Sequence, residues 1–226
     1  MKTFKKIAVG TFIIFSLLLI VGYIYFNQKF TPPPNRLIIS GISENSKITW
    51  IADGDNLHSA LLLPVRLKNI NQTFYMQLDT GSPTTTFYQN PLKSIQKKFL
   101  PKGNFKELIL SFNIDQMQVS SPYFSFIPYG NEINFNNPKA ISIIGTIGSD
   151  LLEKRIIVLN FKHHLCSFIK TIDEKGFCNF EFKKRKILIP ATIGNEHLKL
   201  MYDSGTSGYE LITHAEQYAK YRFPQQ

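Results

Sequence analysis

The chain is 226 residues long, 43% hydrophobic and 19% charged, which is enough apolar material for a buried core and excludes a disordered or collagen-like polymer. Two cysteines exclude a disulfide-stapled miniprotein, and no cysteine and histidine set has zinc-finger spacing, so folding rests on apolar burial, with no metal or cofactor expected. The net charge is +10, of which Lys2, Lys5, Lys6 and Lys29 supply four; the only dense basic run, Lys183-Lys184-Arg185-Lys186, leads straight into Ile187, Leu188 and Ile189 and reads as a solvated turn, so nucleic acid is not expected as a partner.

Residues 7–26 are 20 consecutive positions without a charge, long enough as a helix to span a bilayer core of roughly 30 Å. A cleavable signal has a shorter apolar core and a small-x-small site, whereas this segment runs into Tyr23, Tyr25 and Phe26, which favours an uncleaved signal anchor. The basic residues of the short tail 1–6 keep the N-terminus cytoplasmic, giving a single-pass membrane protein whose main domain is extracytoplasmic. Residues 27–36 include Pro32, Pro33 and Pro34 and form a stiff, extended linker. On the outer side an oxidising compartment would allow Cys166 and Cys178 to pair, while a tight hairpin at Asp173-Glu174-Lys175-Gly176 would not set them opposite each other, so the pairing stays open.

From residue 37 onward the chain reads as all-β: apolar runs of four to eight residues alternate with Asn, Gly, Pro and Asp clusters. Short helices are expected at 91–99, 149–154 and 214–221, none long enough to organise an α/β sheet. Within this region Leu61-Leu62-Leu63-Pro64-Val65, a polar turn at 68–73, and Phe74-Tyr75-Met76-Gln77-Leu78 lead into Asp79-Thr80-Gly81-Ser82. The pattern recurs as Ile187-Leu188-Ile189-Pro190-Ala191, a turn at 194–197, and Leu198-Lys199-Leu200-Met201-Tyr202 before Asp203-Ser204-Gly205-Thr206. The two Asp lie 124 residues apart, a separation that means two related lobes rather than a solenoid.

Either tetrad alone is explained by a turn in which Asp caps its own backbone and Gly relaxes the chain. Two of them, each closing an apolar strand, resemble the pepsin/retropepsin group of aspartic peptidases. The resemblance covers about residues 60–226 and gains from Ile143-Ile144-Gly145-Thr146-Ile147-Gly148-Ser149-Asp150-Leu151-Leu152, which is similar to the family's apolar-apolar-Gly strand and following short helix. It implies a β-barrel lobe over 37–182, closed by the segment containing Ile147 and Gly148, and the start of a second lobe over 183–226.

By that resemblance Asp79 and Asp203 would be the catalytic pair of an endopeptidase acting on a peptide or protein, sharing one proton and activating a water without a cofactor. Thr80 and Ser204 would tie the two loops together, Gly81 and Gly205 would let the backbones approach, and the hydroxyls of Ser82 and Thr206 would hydrogen-bond the carboxylates. A covering flap has candidate tips at Pro101-Lys102-Gly103-Asn104 and Asn113-Ile114-Asp115-Gln116, with Tyr123 as a candidate flap tyrosine.

Only 23 residues follow Asp203, whereas Gly148 lies 69 residues after Asp79, so the second lobe is expected to be incomplete and this form poorly active. A missing C-terminal segment is favoured over a partner chain as what would complete it. The rival readings are a non-catalytic, membrane-tethered peptide-binding module on the same fold and a homodimer using Asp79 alone. His163 and His164 read as surface residues, Asp53-Gly54-Asp55-Asn56 as a plain turn, and Trp50 as core.

Overall fold

The computed structural model describes residues 2–103, 109–137 and 139–221. The chain divides into two compact units, Met1–Pro34 and Asn35–Gln226. The first is carried by helix α1 (Lys2–Lys29), whose stretch Val9–Lys29 has a mean hydropathy of 2.3 and is long and apolar enough to cross a membrane, a property it shares with signal sequences.

The second unit is β-rich and takes in residues 37–182 and 183–226 together. Among the described residues ten strands precede residue 148: β1 (Ile38–Ser40), β2 (Ser43–Lys47), β3 (Thr49–Asp53), β4 (Asn56–Leu67), β5 (Thr73–Leu78), β6 (Thr86–Tyr88), β7 (Ser111–Ile114), β8 (Met117–Ser120), β9 (Ser125–Ile127) and β10 (Ile143–Ile147). All but β2 join one nine-stranded sheet in the order β1-β8-β7-β4-β5-β10-β6-β9, with β3 also paired to β4, and this sheet curls into a half-barrel. Strand β2 instead joins β11 (Ile156–Asn160) and β12 (Leu165–Ile169) in the order β11-β12-β2. A third sheet is a meander of β13 (Glu181–Lys183), β14 (Lys186–Ile193) and β15 (Glu196–Tyr202).

The half-barrel forms because its strands alternate. On β5, Phe74, Met76 and Leu78 are buried while Tyr75 and Gln77 are half-buried, so a period of two sends one face into the core and leaves the other free to line a site. Phe87, Phe112 and Phe124 meet edge-to-face or tilted in the middle of that core, with centroids 5.1–5.9 Å apart. Helix α2 (Gln89–Phe99) begins one residue after β6, carries Pro91 in its first turn where no amide is needed, and buries Leu92 and Ile95. It starts two residues ahead of the expected 91–99. The helix expected over 149–154 is a 3-10 turn over Ser149–Leu152, and the last one, α3, spans Ala215–Tyr221.

Strand β10 places the first Asp loop. It runs parallel to β5, pairing Ile147 with Leu78, and antiparallel to β6. Gly148 then passes the backbone of Thr84 so closely that a Cβ there would lie 2.6 Å from the Thr84 carbonyl oxygen, and a side chain at 148 would push the strand off the loop.

Cys166 and Cys178 are both free, the first buried on β12 and the second exposed. Burial pushes the Cys166 thiol up to about 12. Thiol labelling of the folded chain near pH 8 is therefore expected to modify Cys178 alone, with Cys166 reacting only after denaturation. Equal rates at the two positions would contradict this packing.

Candidate functional site

The backbone of β5 ends against β10, where the Asp79 amide donates to the Ile147 carbonyl at 3.0 Å. The chain then folds back so that the Gly81 and Ser82 amides donate to Asp79 Oδ1 at 2.9 and 3.1 Å. At the end of β15 the same thing happens: the Gly205 amide donates to Asp203 Oδ1 at 2.9 Å as the chain enters the 3-10 turn Ser204–Thr206. Each loop is thus an Asp-capped turn built from its own residues.

Four further bonds join the loops to each other. The Thr80 amide donates to Ser204 Oγ at 3.0 Å, and the Ser204 amide donates to Thr80 Oγ1 at 2.9 Å. The Thr80 hydroxyl in turn donates to the Tyr202 carbonyl at 3.0 Å and the Ser204 hydroxyl to the Leu78 carbonyl at 2.8 Å. The set maps onto itself when Leu78 and Thr80 are exchanged for Tyr202 and Ser204. Thr80 and Ser204 are 2% and 3% exposed, so each hydroxyl satisfies two buried backbone groups that water does not reach.

This arrangement turns the carboxyl groups toward each other. A Cβ at Gly81 would come within 2.5–2.6 Å of the Asp203 carboxyl atoms, and one at Gly205 would run into the Asp79 carboxyl group. Burial pushes the Asp79 carboxyl above the usual carboxylate range and the Asp203 charge and hydrogen bond push the same way, against the Ser82 and Gly81 amides.

The residues that follow β10 support the first loop from behind. Ser149 Oγ donates to the Thr80 carbonyl at 2.6 Å, and the Ser149 amide donates to the Ser82 carbonyl at 2.8 Å. Buried Asp150 accepts from the Thr85 amide at 2.8 Å and the Thr85 hydroxyl at 2.7 Å, fixing the far end of the loop. Thr85, Ser149 and Asp150 received no role from the sequence; their one visible signal is that Ser149 and Asp150 directly follow the Gly of an apolar strand.

Two sequence expectations need correction. The Ser82 hydroxyl donates to the Thr84 carbonyl at 3.0 Å and the Thr206 hydroxyl to the Asp203 backbone carbonyl at 3.2 Å, so neither hydroxyl is spent on a carboxylate as expected; the Ser82 amide does that work. The proposed flap tip at Asn113-Ile114-Asp115-Gln116 is the β7–β8 turn, with Ile114 buried. Asn113 and Thr73 both pair with Arg66, which puts Asn113 about 20 Å of strand from Asp79, at the wrong end of β5. Tyr123 is exposed with Arg36 over its ring at 4.3 Å, and of the other candidate tip Asn104 lies outside the described residues.

The β3–β4 hairpin is what extends past the end of β5. Leu62 pairs with Gln77, so residues 56–60 continue beyond Leu78, where Ser207 Oγ donates to the His58 carbonyl at 2.7 Å and Asn56 bonds the Gly208 carbonyl. Between this hairpin and the second loop lies a cavity of about 770 Å³ lined by Trp50, His58, Phe161, Tyr202, Asp203 and Tyr209. Trp50, expected in the core, packs against the core while remaining half-buried, and on this wall it meets His58 edge-on at 4.8 Å. On the side of the first loop a second cavity of about 540 Å³ is lined by Gln77, Tyr88, Tyr129 and Ile143 among others, with the Tyr88 hydroxyl 2.6 Å from Thr146 Oγ1. No group of three potential metal ligands occurs among the described residues.

No protein-family model, curated protein or solved structure matches the chain. Two outcomes follow from the geometry alone. Thr80→Val and Ser204→Ala each strand buried backbone groups, and each is expected to cost about 2 kcal/mol in urea unfolding, with the double variant losing less than the sum. The Asp79 carboxyl, raised from 3.8, binds more protons folded than unfolded, so its contribution to stability falls as pH rises through the raised value. Asp79→Asn keeps an acceptor for the Gly81 and Ser82 amides and removes that cost, so it is expected to melt higher than the parent at pH 7, with the gain disappearing below about pH 3.8. A variant melting lower at pH 7 would contradict the raised carboxyl.

Proposed function

We propose that this chain is a membrane-anchored, pepsin/retropepsin-like aspartic endopeptidase in which Asp79 and Asp203 act as one unit. The observation that carries the reading is the reciprocal exchange of hydroxyl and amide bonds between Thr80 and Ser204, which holds two carboxyl groups face to face from strand ends 124 residues apart.

Like charges in contact resist double ionisation, so the pair keeps one proton over a broad range. A water held between the carboxyls loses a proton to the ionised member as its oxygen attacks the peptide carbonyl carbon, while the protonated member donates to the carbonyl oxygen. The resulting diol collapses as the C–N bond breaks, the amine leaves with a proton and the acid remains. The proton state belongs to the pair, and the roles of its members are exchangeable. The cavities on either side of the loops give an extended peptide room to lie, with the Trp50, Phe161 and Tyr209 wall favouring apolar side chains next to Asp203.

In this reading residues 37–182 are the first lobe and 183–226 the start of the second, and α1 is a signal anchor with the catalytic unit outside. Strand β5 pairs with β4 on one edge and β10 on the other; β15 pairs with β14 alone among the described residues. A strand from a further segment or a partner chain fits that second edge.

The test is cleavage of a peptide library by the full chain in detergent or vesicles between about pH 3 and pH 7. Asp79→Asn and Asp203→Asn are each expected to lower turnover about 10³-fold or more. Retained turnover in Asp203→Asn would favour a homodimer using Asp79 alone, and an inactive parent that still binds peptide would favour a binding module.

A further inference from the structure

The basic run Lys183-Lys184-Arg185-Lys186 differs from its sequence reading at one position. Lys183, Lys184 and Lys186 are exposed, whereas Arg185 is only 5% exposed. The cause is the turn between β13 and β14, in which Lys184 and Arg185 both take left-handed backbone angles, φ 49° and 61°. That pair of angles suits a two-residue hairpin, although each costs a non-glycine residue on the order of 1 kcal/mol.

The turn sends the Arg185 side chain out of the second copy of the repeat and into the first. Its Nε donates to Glu153 Oε1 at 2.8 Å, and its Nη1 donates to the Pro83 carbonyl at 3.0 Å. Glu153 is itself held by Asn35, whose Nδ2 donates to Oε2 at 2.7 Å and to the Asp150 carbonyl at 2.7 Å. Burial pushes the Glu153 carboxyl up, but the Arg185 and Asn35 hydrogen bonds with the Arg185 and Lys154 charges hold it below the usual range. Pro83 follows Ser82, whose amide is one of the two donors on Asp79 Oδ1.

We infer that Arg185 is a positioning residue: by gripping the Pro83 carbonyl it holds loop 82–85 so that the Ser82 amide stays on the Asp79 carboxylate, and it makes the first Asp loop depend on the seating of the second hairpin. This rests on reading Asp79 and Asp203 as the working pair, and it adds a residue that the paired tetrads do not contain. Only the Arg fork serves both partners, because a lysine ammonium placed on Glu153 does not also reach the Pro83 carbonyl with a second fixed donor. Besides burial, the influences on Asp79 are the Asp203 charge and hydrogen bond and the Ser82 and Gly81 amides; the Arg185 charge bears on Asp150 and Glu153 instead. A change at Asp79 on altering Arg185 therefore reports the loop and not a lost positive charge.

The experiment is a carboxyl-carbon NMR titration of aspartate-labelled full chain in micelles, comparing the parent with Arg185→Lys, Arg185→Ala and Glu153→Gln. In Arg185→Lys, which keeps the charge and guards against a misfolded alanine variant, the Asp79 midpoint is expected to rise by about half a unit to one unit as the Ser82 amide is lost. Arg185→Ala is expected to rise at least as far, and Glu153→Gln, which leaves the Pro83 contact in place, to stay close to the parent. In peptide cleavage the lysine variant is expected to lower kcat about tenfold with KM within about twofold. An unmoved Asp79 midpoint in a folded Arg185→Lys would overturn the inference whether or not peptide is cut. A moved midpoint in a chain that cuts no peptide would uphold the positioning role and sink the peptidase.

Discussion

Two carboxyl groups facing each other in a half-buried setting repel, and everything around them in this chain is arranged to stop them from separating. The exchange between Thr80 and Ser204 is the central constraint, because it uses buried backbone as both donor and acceptor and so fixes the loops in position and in rotation. At about 1 kcal/mol net for each neutral hydrogen bond, the four bonds favour the joined loops, while burial and the Asp203 charge, which raise the Asp79 carboxyl, work against them. The glycines at 81 and 205 follow from the same constraint, since a side chain at either would occupy the space of the opposite carboxyl. Behind the first loop, the parallel pairing of β10 with β5 and the Ser149 contacts carry this rigidity into the core.

The two copies of the repeat are held by different physics. In the first, β5 lies between β4 and β10, and Phe74, Met76 and Leu78 are fully buried, so the position of Asp79 is set by close packing. In the second, β14 and β15 have no fully buried side chain, and Ile189 and Met201 are 40% and 46% exposed. That hairpin is seated chiefly by polar contacts: Arg185 on Pro83 and Glu153, Gln77 on the Gly205 carbonyl, and Ser207 and Asn56 across the β3–β4 hairpin. Polar seating with little apolar burial is the mark of an element of low local stability, which leaves the second copy dependent on the bonds between the loops.

What the sequence disclosed follows the reach of its periodic signals. The strand alternation of Phe74, Met76 and Leu78 and the recurrence of an apolar strand before each Asp tetrad depend on neighbours in the chain, and both are visible as pattern. The apolar stretch near the N-terminus is visible for the same reason. The errors lie where a side chain meets something distant. Arg185 sits in a lysine run and is buried only because two left-handed residues aim it at another strand's loop. The tetrad pattern points the Ser82 hydroxyl at the carboxylate, whereas the carbonyl two residues on takes it at 3.0 Å. The β7–β8 turn has the composition of an exposed tip, but its neighbours Ile114 and Met117 belong to the core, and composition does not say at which end of the sheet a hairpin lies.

The strongest alternative to a chemical role is that each tetrad is only a turn. That explanation accounts for the Gly81 and Ser82 amides on Asp79 and the Gly205 amide on Asp203, because those bonds need nothing outside their own loop. It does not account for the bonds between the loops. A turn that served stability alone would gain by carrying its carboxylate into water and away from the other, where ionisation is free. Here the carboxyls are instead brought together at a cost to stability, through hydroxyls that bond the backbone of the opposite loop, and arrangements that oppose stability in this way concentrate where a molecule does chemistry. The bonds between the loops, more than the Asp residues themselves, are therefore what gives the peptidase reading its weight.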